Sequence, residues 1–261
     1  MDSLQKKLWD KKKKKKILFM PHLVLGYPDF QTNQAQIELM IKADADIIEL
    51  QFPFSEPVAD GPILARANLQ SLKNGTKVEQ CFIFAESLKQ KFPQVDFLLM
   101  TYGNIPFQMG MAKFLHRSWQ AGIKAILLPD FPLEEAEEYR TVALEKGIAP
   151  IFIFAPNQKK ERRDQIAFCA QGFIYCTSRK GVTGMKTAFD QNLQKQLKEY
   201  KTSTSLPLAV GFGLSSVQDL QFLIGHAEMA VIGSKLLEVL EEKGLKGLDS
   251  FLESLKQTIE A

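Results

Sequence analysis

Apolar residues fall in eight short runs along the chain, separated by longer stretches that repeat at helical spacing. The runs are Ile17–Leu25, Asp46–Phe52, Phe97–Tyr102, Ala125–Pro129, Ala149–Phe154, Gly172–Thr177, Leu208–Phe212 and Met229–Ile232. Short apolar runs bounded in this way are candidate strands. Between them, Thr76-x-x-Glu79 and Ser216-x-x-Asp219 have the form of capping boxes, and Pro132 stands where a first helical turn begins. Gly122 and Gly147 each follow a helical stretch, as C-terminal caps do.

Strand and helix in alternation imply parallel strands joined by right-handed crossovers. Eight such units in 261 residues predict an α/β fold, a (β/α)8 TIM barrel. An open doubly wound sheet is the competing architecture, but no G-x-G-x-x-G follows the first strand. Two helical stretches, Ile63–Leu72 and Val78–Gln90, follow the second strand, which predicts an extra helix in the second βα unit. No linker or boundary interrupts residues 1–261, so a single barrel domain is expected.

Within the second strand sits a carboxylate, Glu49, between Ile48 and Leu50. Period-two alternation sends Ile47, Glu49 and Gln51 to one face and Ile48, Leu50 and Phe52 to the other. Glu49 then points inward at the C-terminal end of its strand, where barrel enzymes keep their catalytic groups. Apolar surroundings would raise its pKa and suit it to proton transfer, whereas a buried ion pair with a neighbouring strand is the structural alternative. Asp60 follows beyond a loop stiffened by Pro53 and Pro57. It reads equally as a second catalytic carboxylate and as the cap of a helix opened by Gly61-Pro62.

Charge narrows the field of partners. The formal net charge is +3, but residues 1–16 hold eight Lys against two Asp, so the rest of the chain is net acidic. That argues against a nucleic-acid surface, and the lysine-rich segment at residues 1–16 reads as a solvated terminus. Ile17–Leu25 is too short for a membrane span and is broken by Pro21 and His22. Three cysteines without CxxC spacing fit a reducing, cytoplasmic compartment, and three scattered histidines offer no metal-ligand pattern.

Anion chemistry is signalled near the C-terminus. Gly211-Phe212-Gly213 ends the seventh strand and Gly233-Ser234 ends the eighth, each opening a helix. Backbone N–H groups at such turns, aided by the helix dipole, form a phosphate site. Ser178–Gly184 has two cations, two hydroxyls and two glycines, as a basic lid over the barrel mouth or an exposed loop would. Leu98, Met100, Tyr102, Leu127, Ile153 and Tyr175 at strand ends could line an apolar pocket, although each would serve equally as barrel core. A Schiff-base aldolase would need an inward strand lysine, and no candidate strand offers one.

Leu25-Gly26-Tyr27-Pro28-Asp29, Ile48–Pro62, Met100-Thr101-Tyr102, Leu128-Pro129-Asp130, Ser178–Gly184, Gly211–Ser215 and Gly233-Ser234 together resemble the tryptophan synthase alpha subunit family. The string Pro53-Phe54-Ser55-Glu56-Pro57-Val58-Ala59-Asp60-Gly61-Pro62 is the most specific part of the resemblance, which runs from about Pro21 to Leu237. It implies a lyase of tryptophan biosynthesis that cleaves indole-3-glycerol phosphate by a retro-aldol step. Glu49 then falls on the general acid/base and Asp60 on the carboxylate that meets the indole N–H. Thr183 matches the lid residue, while Gly184, Phe212, Gly213, Gly233 and Ser234 match the phosphate cradle. Tyr102 and Leu127 fall on the pocket, and Tyr175 and Phe212 flank the indole ring.

The resemblance further implies no cofactor in this chain, pyridoxal phosphate only in a beta partner, and an αββα heterotetramer. An alpha-like subunit that activates a beta subunit without cleaving substrate is the alternative from a different class. Four positions depart from the family pattern: His22 replaces an aromatic, Gln51 a glycine, Glu56 an aspartate, and Gly103 a bulkier residue.

Overall fold

The computed structural model describes residues 3–177, 191–211 and 213–260. Eight strands run parallel and close in chain order: β1 (Leu18–Val24), β2 (Ile48–Gln51), β3 (Phe97–Met100), β4 (Ala125–Leu127), β5 (Ala149–Phe154), β6 (Ile174–Thr177), β7 (Leu208–Gly211) and β8 (Met229–Ile232), with β8 pairing back onto β1. The helices are α1 (Ser3–Lys12), α2 (Phe30–Lys42), α3 (Pro62–Lys73), α4 (Val78–Lys91), α5 (Asn104–Met109), α6 (Met111–Gln120), α7 (Ala136–Glu145), α8 (Lys160–Cys169), α9 (Gln191–Lys201), α10 (Val217–Leu223) and α11 (Ser234–Ile259).

The expected (β/α)8 barrel is therefore the observed one, and each strand matches its apolar run to within two residues at an end. Leu18, Met20, Leu98, Ala125, Ala149, Ala209 and Met229 pack inside the barrel. Ile48, Leu50, Phe52, Leu99 and Ile174 pack outward against the helices. Burial on both faces is why these strands read as near-continuous apolar runs. Both α3 and α4 lie between β2 and β3, as the enlarged second unit requires. The third unit is enlarged as well, by the short α5, which the helical spacing does not announce.

Local signals hold with small shifts. Ser216 caps α10 by accepting the Asp219 N–H at 3.2 Å, but the Asp219 carboxylate turns to the N–H and hydroxyl of Ser215 instead of completing a box. At α4 the reciprocal contact sits one residue beyond Thr76, where the Lys77 N–H donates to Gln80 Oε1 at 2.8 Å.

The reading of residues 1–16 as a solvated terminus is corrected. α1 lies across the N-terminal end of the barrel and buries Leu4 and Leu8 against the interior layer that includes Ile47, Phe173 and Met229. Lysines of this N-terminal segment meet buried carboxylates on the bottom loops: Lys7 of α1 pairs with Asp96 at 2.5 Å, and Lys15, beyond the helix, with Asp46 at 2.9 Å. Asp46 also accepts the Phe19 N–H at 2.9 Å, so its charge is fully met. The cations that looked superfluous neutralise acids that would otherwise be buried unpaired.

Leu8→Ala is expected to lower the free energy of unfolding by about 2–4 kcal/mol while leaving the opposite, C-terminal face unchanged. Urea denaturation checks this, and a loss under about 0.5 kcal/mol would mean that α1 is not part of the core.

Candidate active site

At the C-terminal end of the barrel a cavity of about 370 Å³ opens among the strand ends, a size suited to a small organic ligand. Glu49 and Asp60 both line it. They are only 1% and 8% exposed, so each carboxylate must be stabilised by what surrounds it.

Glu49 reaches the cavity by strand alternation, as expected. His22 on β1 is its register partner, and the His22 Nδ1 lies 3.1 Å from Glu49 Oε2. At that distance the two atoms are within reach of one proton between them, and Glu49 Oε2, which is buried, has no further hydrogen-bond partner among the described residues. Burial is the largest single effect and disfavours charge on His22, but the Glu49 carboxylate, Asp60 and Gln51 together outweigh it, and the imidazole pKa is raised above its usual value.

Asp60 does not cap α3, because the N-cap position falls on Gly61. Its Oδ2 accepts from Gln51 Nε2 at 2.6 Å, from the Tyr102 hydroxyl at 3.0 Å and, more weakly, from Asn68 Nδ2 at 3.4 Å. Burial pushes the Asp60 carboxyl above the usual carboxylate range, opposed by the His22 charge and by the Gln51 and Tyr102 hydrogen bonds. Asp60 thus sits in a drier place than a plain anion would choose. Its donors are those that hold an ionised carboxylate in place.

The loop that carries Asp60 is strapped from two sides. The Tyr102 ring stacks on Phe54 with centroids 5.2 Å apart, and its hydroxyl accepts the Ala59 N–H at 3.2 Å. Asn68 on α3 accepts the Phe54 N–H at 3.0 Å. Tyr102, expected on the pocket wall, therefore stands behind Asp60 and outside the cavity lining. The sequence places Tyr102 at a strand end but does not show which loop it supports.

Of the other expected residues, Leu127 and Tyr175 line the apolar floor together with Met100, Ile153 and Val231. A side chain at Gly211 would meet the Tyr175 hydroxyl at 2.6 Å, so the absence of one lets Tyr175 lie along the barrel mouth. Gly213, Gly233 and Ser234 line the opposite rim, as expected of an anion cradle. Ser234 begins α11, whose first N–H groups have no acceptor within the helix. Thr183, Gly184 and Phe212 lie outside the described residues.

Four lining or supporting residues were not singled out for the site by sequence. His22 was visible only as a departure from a family pattern, and Gln51 as that and as a neighbour of Glu49 on one strand face. Asn68 gave no signal. Lys235 adds a cation beside Ser234 and is held by Glu238 at 3.1 Å. Among the described residues, no group of three or more His, Cys, Asp and Glu could hold a metal ion, and no helix is long and apolar enough to cross a membrane.

Comparison with known proteins agrees with this geometry. The family model described as Tryptophan synthase alpha chain matches residues 8–260. The tryptophan synthase alpha chain of Desulfotalea psychrophila is 48% identical over 254 residues, covering 97% of this chain and 100% of the relative. A solved chain from Aquifex aeolicus superposes with a TM-score of 0.92 at 32% identity over the full length of both. A chain of the tryptophan synthase a2b2 complex from Pyrococcus furiosus gives 0.85 at 32% identity, covering 93% of this chain and 98% of that one. The chain belongs to the tryptophan synthase alpha chain family.

Proposed function

We propose that this protein cleaves indole-3-glycerol phosphate to indole and glyceraldehyde 3-phosphate, with Glu49 as general acid/base and Asp60 as the carboxylate facing the indole N–H. The observation that carries the reading is the pair of buried carboxylates from one strand and its loop, held over a single apolar cavity. On the far rim of that cavity stand Gly213, Gly233 and Ser234.

The indole ring lies on the floor formed by Leu127, Met100 and Tyr175, and the phosphate meets the N-terminus of α11. Glu49 gives a proton to indole C3, and positive charge develops on the ring. Asp60, ionised and braced by Gln51 and Tyr102, offsets that charge through the ring N–H. Glu49, now a carboxylate, takes the proton of the glycerol C3′ hydroxyl. The C–C bond breaks, its electron pair returns to the ring, and C3′ leaves as an aldehyde. Every step is a proton transfer or a bond cleavage driven by one, so the chemistry calls for no cofactor in this chain. Thr183 is assigned to the lid, Gly184 and Phe212 to the phosphate and ring contacts, and residues 1–261 act as one domain.

The partner is a tryptophan synthase beta subunit, which carries the pyridoxal phosphate, in an αββα assembly. Solved relatives come from such complexes, one of them described by its mutual activation. Two exposed apolar side chains support a docking face on this side of the barrel: Val58 in the Asp60 loop is 67% exposed and Phe107 on α5 is 75% exposed. The free cysteines, two of them buried, support a reducing cytoplasmic location.

The test is indole release from indole-3-glycerol phosphate by purified chain, with and without a beta subunit. Indole formation that rises with the partner is the expected result. No indole, with the beta reaction still stimulated, would make the chain an activating subunit and overturn the proposal. Glu49→Gln is expected to keep fold and partner binding yet lose about 10²–10⁴ in turnover, and a variant within tenfold of wild type would exclude Glu49 as the proton carrier. Asp60→Asn is expected to lower kcat about a hundredfold or more, since an amide cannot offset a cationic ring. A change confined to KM would show that Asp60 serves binding alone.

A further inference from the structure

His22 and Gln51 do not belong to the pair of catalytic carboxylates, yet they occupy the space between them. β1 sends Leu18, Met20 and His22 inward by alternation, and the register sets His22 opposite Glu49. Gln51, two residues beyond Glu49 on β2, points the same way. A continuous set of contacts results. Glu49 Oε2 lies 3.1 Å from His22 Nδ1, His22 Nε2 lies 3.0 Å from Gln51 Oε1, and Gln51 Nε2 donates to Asp60 Oδ2 at 2.6 Å. All four residues are buried. A side chain at Gly233 would meet the imidazole Cδ2 at 3.1 Å, so the turn after β8 closes over the ring and keeps it in place.

We propose that His22 is a positioning residue that shares one proton with Glu49, and that Gln51 fixes the direction of this sharing by locking onto Asp60. The argument is one of donors and acceptors. An ionised Asp60 accepts only, so the Gln51 amide turns its NH2 toward Asp60 and its carbonyl toward His22. The opposite amide orientation would set a carbonyl oxygen 2.6 Å from a carboxylate oxygen, which is repulsive. A carbonyl only accepts, so His22 Nε2 carries a hydrogen. His22 Nδ1 then either donates to a Glu49 carboxylate or accepts from a Glu49 carboxyl. Both arrangements contain the same single proton, placed between Glu49 and His22.

This inference rests on Glu49 being the acid/base and deepens that assignment. A lone carboxyl ordinarily gives up its proton near pH 4, well below neutrality. Sharing with an imidazole keeps that proton within the pair at neutral pH, available for indole C3. After C3 has been protonated, Glu49 is a carboxylate beside a neutral His22. The glycerol hydroxyl then returns one proton to the pair as the C–C bond breaks, and the site is reset. Besides Glu49 and Asp60, the ionisable groups among the described residues that share the cavity with His22 are Tyr175 on β6 and the Lys235–Glu238 pair on α11. The Tyr175 hydroxyl has a pKa well above its usual value, through burial first and the two carboxylates next, and stays neutral across the working range.

The sign follows from the raised pKa of His22. The pair keeps its proton below that pKa and loses it as pH rises through it, so activity that needs the proton falls on the alkaline side. The chain has three histidines, so ¹⁵N NMR of the histidine-labelled protein resolves each ring, with His22 assigned by its absence in His22→Phe. His22 is expected to titrate above about 6.5 in the intact chain and to fall by about one unit or more in Glu49→Gln. In His22→Phe, a substitution close in size, the alkaline limb of kcat/KM is expected to move down by about one unit and kcat to fall about tenfold or more, with KM little changed. Titration of His22 at the same pH with and without the Glu49 carboxylate would overturn the shared proton, whatever the turnover of Glu49→Gln. An unmoved alkaline limb in His22→Phe would overturn it as well. Near-normal turnover of Glu49→Gln, with the His22 pKa lowered in that variant as expected, would instead remove the catalytic assignment, so the two failures are distinguishable.

Discussion

Two carboxylates are taken out of water at the mouth of an apolar barrel, and the rest of the site exists to make that tolerable. A buried anion without partners would cost several kcal/mol or would pick up a proton. Glu49 is met by His22 from the next strand, whereas Asp60 is met by Gln51, Tyr102 and Asn68. The same desolvation that makes these groups costly makes them strong, because charges aimed into a dry cavity act on a substrate with little screening by water.

The barrel supplies this environment from below. Interior side chains of alternate strands fill the space under the cavity, and α1 closes the opposite end with Leu4 and Leu8. Acidic side chains appear at both ends of the barrel and are handled differently. At the bottom, Asp46 and Asp96 are neutralised outright by lysines of the N-terminal segment. At the top, the buried Glu49 Oε2 meets the His22 imidazole and has no further hydrogen-bond partner among the described residues. A fully matched charge contributes to the fold, and an incompletely matched one is available for chemistry.

Much of this was legible in the sequence, and the exceptions share a cause. Strands were readable because burial on both faces leaves continuous apolar runs, and Glu49 stood out because it interrupts one of them. The helix α1 was hidden because its two buried leucines, Leu4 and Leu8, are set in a lysine-rich run whose composition suggests solvent. Tyr102 was found, but its support of the Asp60 loop depends on a stack with Phe54 that no local pattern encodes. His22 and Gln51 looked like departures from a family pattern. Their importance comes from the register of β1 against β2, which sets His22 beside Glu49 across 26 intervening positions in sequence and is not contained in either segment alone. Asp60 was read as either catalyst or cap, and the structure excludes the cap by setting Gly61 at the N-cap of α3.

The central claim is a division of labour between the acids: one proton resides with Glu49 and His22, and Asp60 bears the charge. Neutron diffraction from a deuterium-exchanged crystal at neutral pH observes this directly. Deuterium should appear on His22 Nε2 and on one atom of the Glu49–His22 contact, with Asp60 bare and accepting from Gln51 and Tyr102. Deuterium on Asp60, with none between Glu49 and His22, would contradict the account.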